Sequence, residues 1–143
     1  MFPATQIPLT ANGNIRPGRF LTTVSGAGNF NLTVEATAST AIILGVSERY
    51  ARGPADGQGG SNELYVAIAG EEVPYRGPLQ MAELLLGGTV TDQGIPLTTD
   101  SSGRGVADAP TDGTLLWYGA IALRSGVEND YIPVYVLPPT PTV

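Results

Sequence analysis

Nineteen glycines and twelve prolines are spread along these 143 residues as punctuation. Gly weakens the interior of a helix or strand through its backbone freedom, and Pro removes a donor and fixes φ. A chain broken up this often suits many short strands joined by turns. It is long enough to bury a core in one domain without disulfides or metals. Apolar residues make up 42% and charged residues 14%. That charged share is low beside the roughly 25% of an average globular chain, and it lacks the high charge of a disordered one.

The apolar runs between the punctuation marks read as strands. They lie over 19–24 (RFLTTV), 30–34 (FNLTV), 41–46 (AIILGV), 64–69 (LYVAIA), 73–76, 89–90, 95–99, 105–107, 115–123 (LLWYGAIAL) and 131–137 (YIPVYVL). Thr, Val, Ile and Tyr dominate them, as strand surfaces favour. The SGAGN segment between the first two reads as a hairpin turn. Asp100-Ser101-Ser102-Gly103-Arg104 reads as another, since Asp and Gly supply turn chemistry. Pro133 cannot donate to a ladder, so its strand should lie at an edge or direct that site out of the sheet. Residues 78–86 (PLQMAELLL) are the one candidate helix, starting on a Pro and ending at Gly87-Gly88. A strand over 83–86 competes with it. Residues 52–62 read as a surface loop or a binding loop. Residues 1–17, with three prolines and no sustained period, read as an extended arm. Residues 138–143 read as a short polyproline-type tail. Between them, 18–137 forms a single β domain.

The missing residue types limit the chemistry. The chain has no Cys, no His and no Lys, so all seven cations are Arg. A His base or triad, a thiol nucleophile, a thiolate zinc site, a Schiff base and a Walker lysine are therefore excluded. Paired carboxylates remain; Glu71, Glu72, Glu83, Glu128 and Asp130 are candidates for glycoside hydrolysis. Most of the acids fall in expected turns, where they are ordinary surface residues, so the chain is expected not to be an enzyme. No pattern asks for a metal or cofactor. The net charge of -6 disfavours nucleic acid and anionic membranes. No apolar run approaches the roughly 20 residues of a membrane helix, and Met1-Phe2-Pro3 does not begin a secretory signal. The all-Arg cation set reflects either codon usage or the use of planar guanidinium forks at interfaces. Trp117, Tyr118, Tyr131 and Tyr135 cluster late in the chain, as core packing or as an interface.

One stretch carries a more specific pattern. It runs Gly87-Gly88-Thr89-Val90-Thr91, then Gly94-Ile95-Pro96-Leu97-Thr98-Thr99-Asp100-Ser101-Ser102-Gly103-Arg104-Gly105-Val106. Gly119-Ala120-Ile121-Ala122-Leu123 follows, then Ile132-Pro133-Val134-Tyr135-Val136. This resembles the capsid decoration (cement) proteins of tailed phages and the related small phage proteins of the DUF2190 type, over about residues 18–137. The resemblance implies an all-β, small barrel or β-tulip-like domain on the outer capsid surface of a virion. It further implies a homotrimer, or a dimer, that clamps subunits of the major capsid protein. The N-terminal arm would then add to a capsid strand, with Phe2, Ile7 and Leu9 packing on the partner and Arg16 and Arg19 pairing with its acids. The competing reading is a small ligand- or carbohydrate-binding β module of the fibre or adhesin type.

Overall fold

The structure is a computed structural model that describes residues 7–26, 31–49, 65–107 and 115–141. Among these residues it is all-β, with ten strands: β1 (Thr10–Ala11), β2 (Phe20–Thr23), β3 (Leu32–Glu35), β4 (Ile43–Ser47), β5 (Tyr75–Arg76), β6 (Met81–Leu85), β7 (Pro96–Thr99), β8 (Gly105–Val106), β9 (Trp117–Ala122) and β10 (Tyr131–Pro141). They form two five-stranded sheets, ordered β1-β3-β2-β4-β5 and β6-β10-β9-β7-β8. The pairings are antiparallel except β1 with β3. The second sheet curls until its two edges meet. Leu86, just past β6, bridges to Gly105 of β8, and the Gly87 amide donates to the Gly105 carbonyl. The result is a small barrel-like domain.

Successive strand residues point to opposite faces, and β2 uses both. Phe20 enters the main core between the sheets, with Ile43 and Val46 from β4 and Leu84, Leu97, Ala120, Ile132, Val134 and Val136 from the second sheet. Leu21 enters a smaller core on the other face, with Ala11, Ile15, Val66, Ala67 and Val73. Gly119 marks a tight fit in the main core. A Cβ there would lie 2.6 Å from the Phe20 ring and 2.7 Å from Ile43.

Several expectations need correction. Residues 78–86 are not a helix; β6 occupies 81–85. Its leucines and Met favour helix, but pairing with β10 (Tyr131↔Leu85 through Tyr135↔Met81) overrides that preference. A Gly77–Gln80 turn with Leu79 at φ 69 precedes the strand. Strand β10 lies inside its sheet, not at an edge. Pro133 is tolerated because its place toward β9 falls just past the Val134↔Ala122 pair. There it uses only its carbonyl, which accepts from the Leu123 amide.

Residues 65–69 are irregular rather than a strand, touching the ladder only through the Ile15↔Ala67 bridge, and 89–90 contributes only the Val90↔Gly126 bridge. The tail is not free over 138–141. It continues β10 after a register shift, pairing Thr140 with Tyr118 and Pro141 with Trp117. The arm, from Leu9 to Pro17, is built into the domain. Its amides and carbonyls bond to Asn31, Thr33, Ala67, Gly70, Glu71 and Val73. The expected 52–62 loop lies outside the described residues.

Candidate functional site

The residues expected to form a capsid-binding arm fall into three groups. Phe2 lies outside the described residues. Ile7 is 61% exposed, and its carbonyl accepts a 2.6 Å hydrogen bond from the Tyr75 hydroxyl on β5. Leu9 is buried, so it packs inside its own domain. Burial raises the Tyr75 phenol above its ordinary pKa.

Arg16 and Arg19 flank the Pro17-Gly18 corner that leads into β2. Arg16 is already paired within the chain. Its Nη2 lies 2.7 Å from Glu35 Oε1 and its Nε 3.1 Å from both carboxylate oxygens, while its backbone amide donates to Glu35 Oε2 at 2.6 Å. This fork-on-carboxylate geometry is the strong form of an ion pair. The hydrogen bond to Glu35 holds the Arg16 guanidinium above its usual pKa.

Arg16 Nη2 and Arg19 Nη1 both donate to the carbonyl of Ser102, at 3.3 and 2.9 Å. That carbonyl belongs to the Asp100–Arg104 turn. The turn is closed by Asp100 Oδ1, which accepts from the amides of Ser102 and Arg104. Gly103, at φ 79, supplies the left-handed position that the turn needs and lets it sit on β2. There the Gly103 carbonyl accepts from the Phe20 amide. Arg104 Nε pairs with Asp100 Oδ2 at 2.9 Å, and its Nη1 reaches Asn129 Oδ1 at 3.1 Å. The Arg19 Nε is buried and, among the described residues, meets no acceptor. Burial, then the neighbouring Arg16 charge, lowers the Arg19 pKa.

A second charged site borders an open groove of about 250 Å³ between β4–β5 and β6. Arg49 pairs with Glu83 at 3.1 Å and Arg76 with Glu48 at 2.8 Å, and Met81 and Pro133 line the same groove. The Arg49 guanidinium also stacks 4.7 Å from the centre of the Tyr131 ring, a cation–π contact. The sequence reading did not select Arg49, Arg76 or Arg104. Only the all-Arg cation set hinted at guanidinium clusters. Of the acids considered for glycoside hydrolysis, Glu71, Glu72, Glu83, Glu128 and Asp130, three are held in contacts of their own. Glu83 is engaged by Arg49, Asp130 caps the Val127 amide, and Glu71 accepts from the Ile68 amide.

No family model matches the chain, and no curated protein matches it, so the resemblance to DUF2190-type proteins rests on the motifs alone. Among solved structures, the chain is similar to the N base of the head fiber gp8.5 of bacteriophage phi29. The TM-score is 0.52 and the identity 15%, over 91% of each chain. At that identity the shared property is the fold.

Proposed function

We propose that this chain is a virion structural protein of a phage head, a decoration protein that sits on the outer capsid surface and ties together subunits of the major capsid protein. The observation that carries this reading is the fold likeness to a phage head fiber base over nearly the whole chain. The decoration-type motifs over 87–136 point the same way. A role in adhesion between subunits also suits a chain with no His, Cys or Lys and with six of its seven arginines set in ion pairs, carbonyl bonds or ring stacking. By this reading the chain works without catalysis or cofactor, as a homotrimer with one copy of the docking surface on each protomer.

The test is co-sedimentation of the purified protein with phage heads that lack it. Saturable binding at a fixed number of copies per head is the expected result, and failure to pellet with heads overturns the reading. Native mass gives the oligomeric state. The structure also fixes where a truncation should be made. Deleting residues 1–15 would remove buried Leu9, Ala11 and Ile15 and disturb the fold, whereas deleting 1–6 removes none of the described core residues. The shorter deletion therefore tests what the segment that carries Phe2 contributes to head binding.

A further inference from the structure

We propose that Arg16, Arg19 and Arg104, gathered round the Asp100–Arg104 turn, form a binding site for a carboxylate, the side chain of an Asp or Glu presented by the protein's partner. Three features of the cluster support this. The first is its charge. Three guanidinium groups share two carboxylates, Glu35 and Asp100. An excess positive charge thus stands on a chain whose net charge is -6.

The second feature is how Arg19 is held. Arg16 and Arg19 converge on one carbonyl oxygen, that of Ser102, so two like charges are kept side by side. Glu35 is committed to Arg16 and offsets only part of the repulsion felt by Arg19. The Arg19 Nε is buried and, among the described residues, finds no acceptor. A buried N–H on a charged group without an acceptor is costly, and a carboxylate is the acceptor that suits a guanidinium fork. The depressed pKa of Arg19, from burial and from the Arg16 charge, agrees with a cation that Glu35 compensates only in part.

The third feature is access. Arg16 and Arg104 have side chains 40% and 25% exposed, so both can meet an incoming group at the surface while Arg19 forms the floor. Arg16 has Glu35 as a fixed anchor, and Arg104 has Asp100 and Asn129. These anchors orient the forks before a ligand arrives, which limits the ordering cost of binding. A planar carboxylate fits this setting better than a hydrated halide, because two parallel N–H donors can engage its two oxygens.

This assignment rests on the head-decoration reading only for the identity of the partner. The site itself is testable on the isolated protein. Seven arginines and no lysine give a sparse set of guanidinium Nε–H signals in nitrogen-edited NMR. Acetate and then succinate are titrated in at constant ionic strength, with chloride as the balancing anion. The Arg19 signal should shift saturably, with those of Arg16 and Arg104 moving in step, and succinate should act at lower concentration than acetate. Equal small drifts of all arginine signals, or no shift, overturn the site.

Arg104→Gln, at the rim of the cluster, should weaken the succinate response at least tenfold while the fold is retained. Arg19→Lys, which keeps the charge but loses the fork, should do the same. Unchanged responses overturn the proposal. In the head-binding assay, both variants should lower affinity at least tenfold, and Arg104→Gln, which removes a charge, should also flatten its salt dependence. If wild type and variants bind heads equally, the carboxylate site is not the docking point. If the wild type fails to bind heads, the decoration reading falls while the titration still decides the site.

Discussion

The two hydrophobic clusters of this domain are built on opposite principles. The main core lies between the sheets and is made of large side chains from strands that pair along several residues: Phe20, Ile43, Leu84, Leu97, Ile132. The smaller cluster lies behind the first sheet. It is made largely of Ala and Val around Ile15 and Leu21, and its outer wall, residues 9–17 and 65–73, is irregular chain apart from the two-residue strand β1, held by that short pairing, isolated bridges and single backbone bonds. One core is closed by extended sheet pairing; the other is closed mostly by loops that happen to be apolar. Local stability varies with the density of buried contacts and paired backbone, so the loop-walled cluster should open first. The chain at this wall also carries Ile7 and Arg16 to the surface, so the surface proposed to meet a partner is the part less tightly held.

Four substitutions test this contrast. Phe20→Ala should cost the most, about 3–5 kcal/mol, because it removes the largest side chain of the main core. Urea unfolding measures it, and a cost near zero would show that the sheets do not depend on that contact. Ile15→Ala should cost about 2–3 kcal/mol, in the lower part of the usual range because the small side chains around it can close in. Hydrogen exchange should then speed up at the amides of Ala11, Val66, Gly70 and Val73 while those of Ala122 and Val136 stay protected. Equal loss of protection in both sets would mean that the two cores form one cooperative unit, and the contrast would be lost.

Gly119→Ala comes next, at about 1–2 kcal/mol, since its methyl would press on Phe20 and Ile43 in the main core. Tyr75→Phe should cost the least, about 0.5–1 kcal/mol for loss of its exposed hydrogen bond to Ile7. It also predicts a pH effect. Burial raises the folded-state pKa of Tyr75 above its ordinary 10.0. Its contribution to stability is therefore complete below that value and is lost as pH rises through the higher folded pKa. Urea midpoints on either side of this window should differ in the wild type by more than in the Phe variant.

The sheet-forming half of this design was legible in the sequence and the loop-walled half was not. Runs rich in Val, Ile and Thr such as 19–24, 41–46, 95–99 and 131–137 became strands because their composition and their tertiary setting agree. β6 was obscured by its composition. Its period of two is present, with Met81 and Glu83 outside and Leu84 and Leu86 inside, but four further helix-favouring residues surround it. The second cluster is invisible to local reading, because Ile15 meets Ala67 and Val66 only when two irregular segments are brought together from far apart.

The same holds for the arginine site. Arg16 and Arg19 stood out as cations near the start of the domain, and the Asp100–Arg104 turn stood out as a turn. Their meeting joins residues separated by 86 positions, and no spacing rule encodes it. The arm was misread because isolated apolar residues among prolines look unpatterned, although each of Leu9, Ala11 and Ile15 has a buried place.

The position of β10 in its sheet has a consequence for how the molecule is made. This strand is synthesised after every other strand described, yet it lies between β6 and β9 and contributes Ile132, Val134 and Val136 to the main core. A nascent chain that has not yet released residues 131–136 has β6 without its neighbour and an open inner face on β9. The second sheet therefore forms only once its final strand is free, and the contacts that complete it span a long stretch of sequence, a pattern that slows folding. Until then the unpaired β6 and β9 edges are exposed to strands of other chains. A holdase, or fewer nascent chains present at once, should therefore raise its soluble yield, and cooling during expression, which weakens apolar association, should do the same.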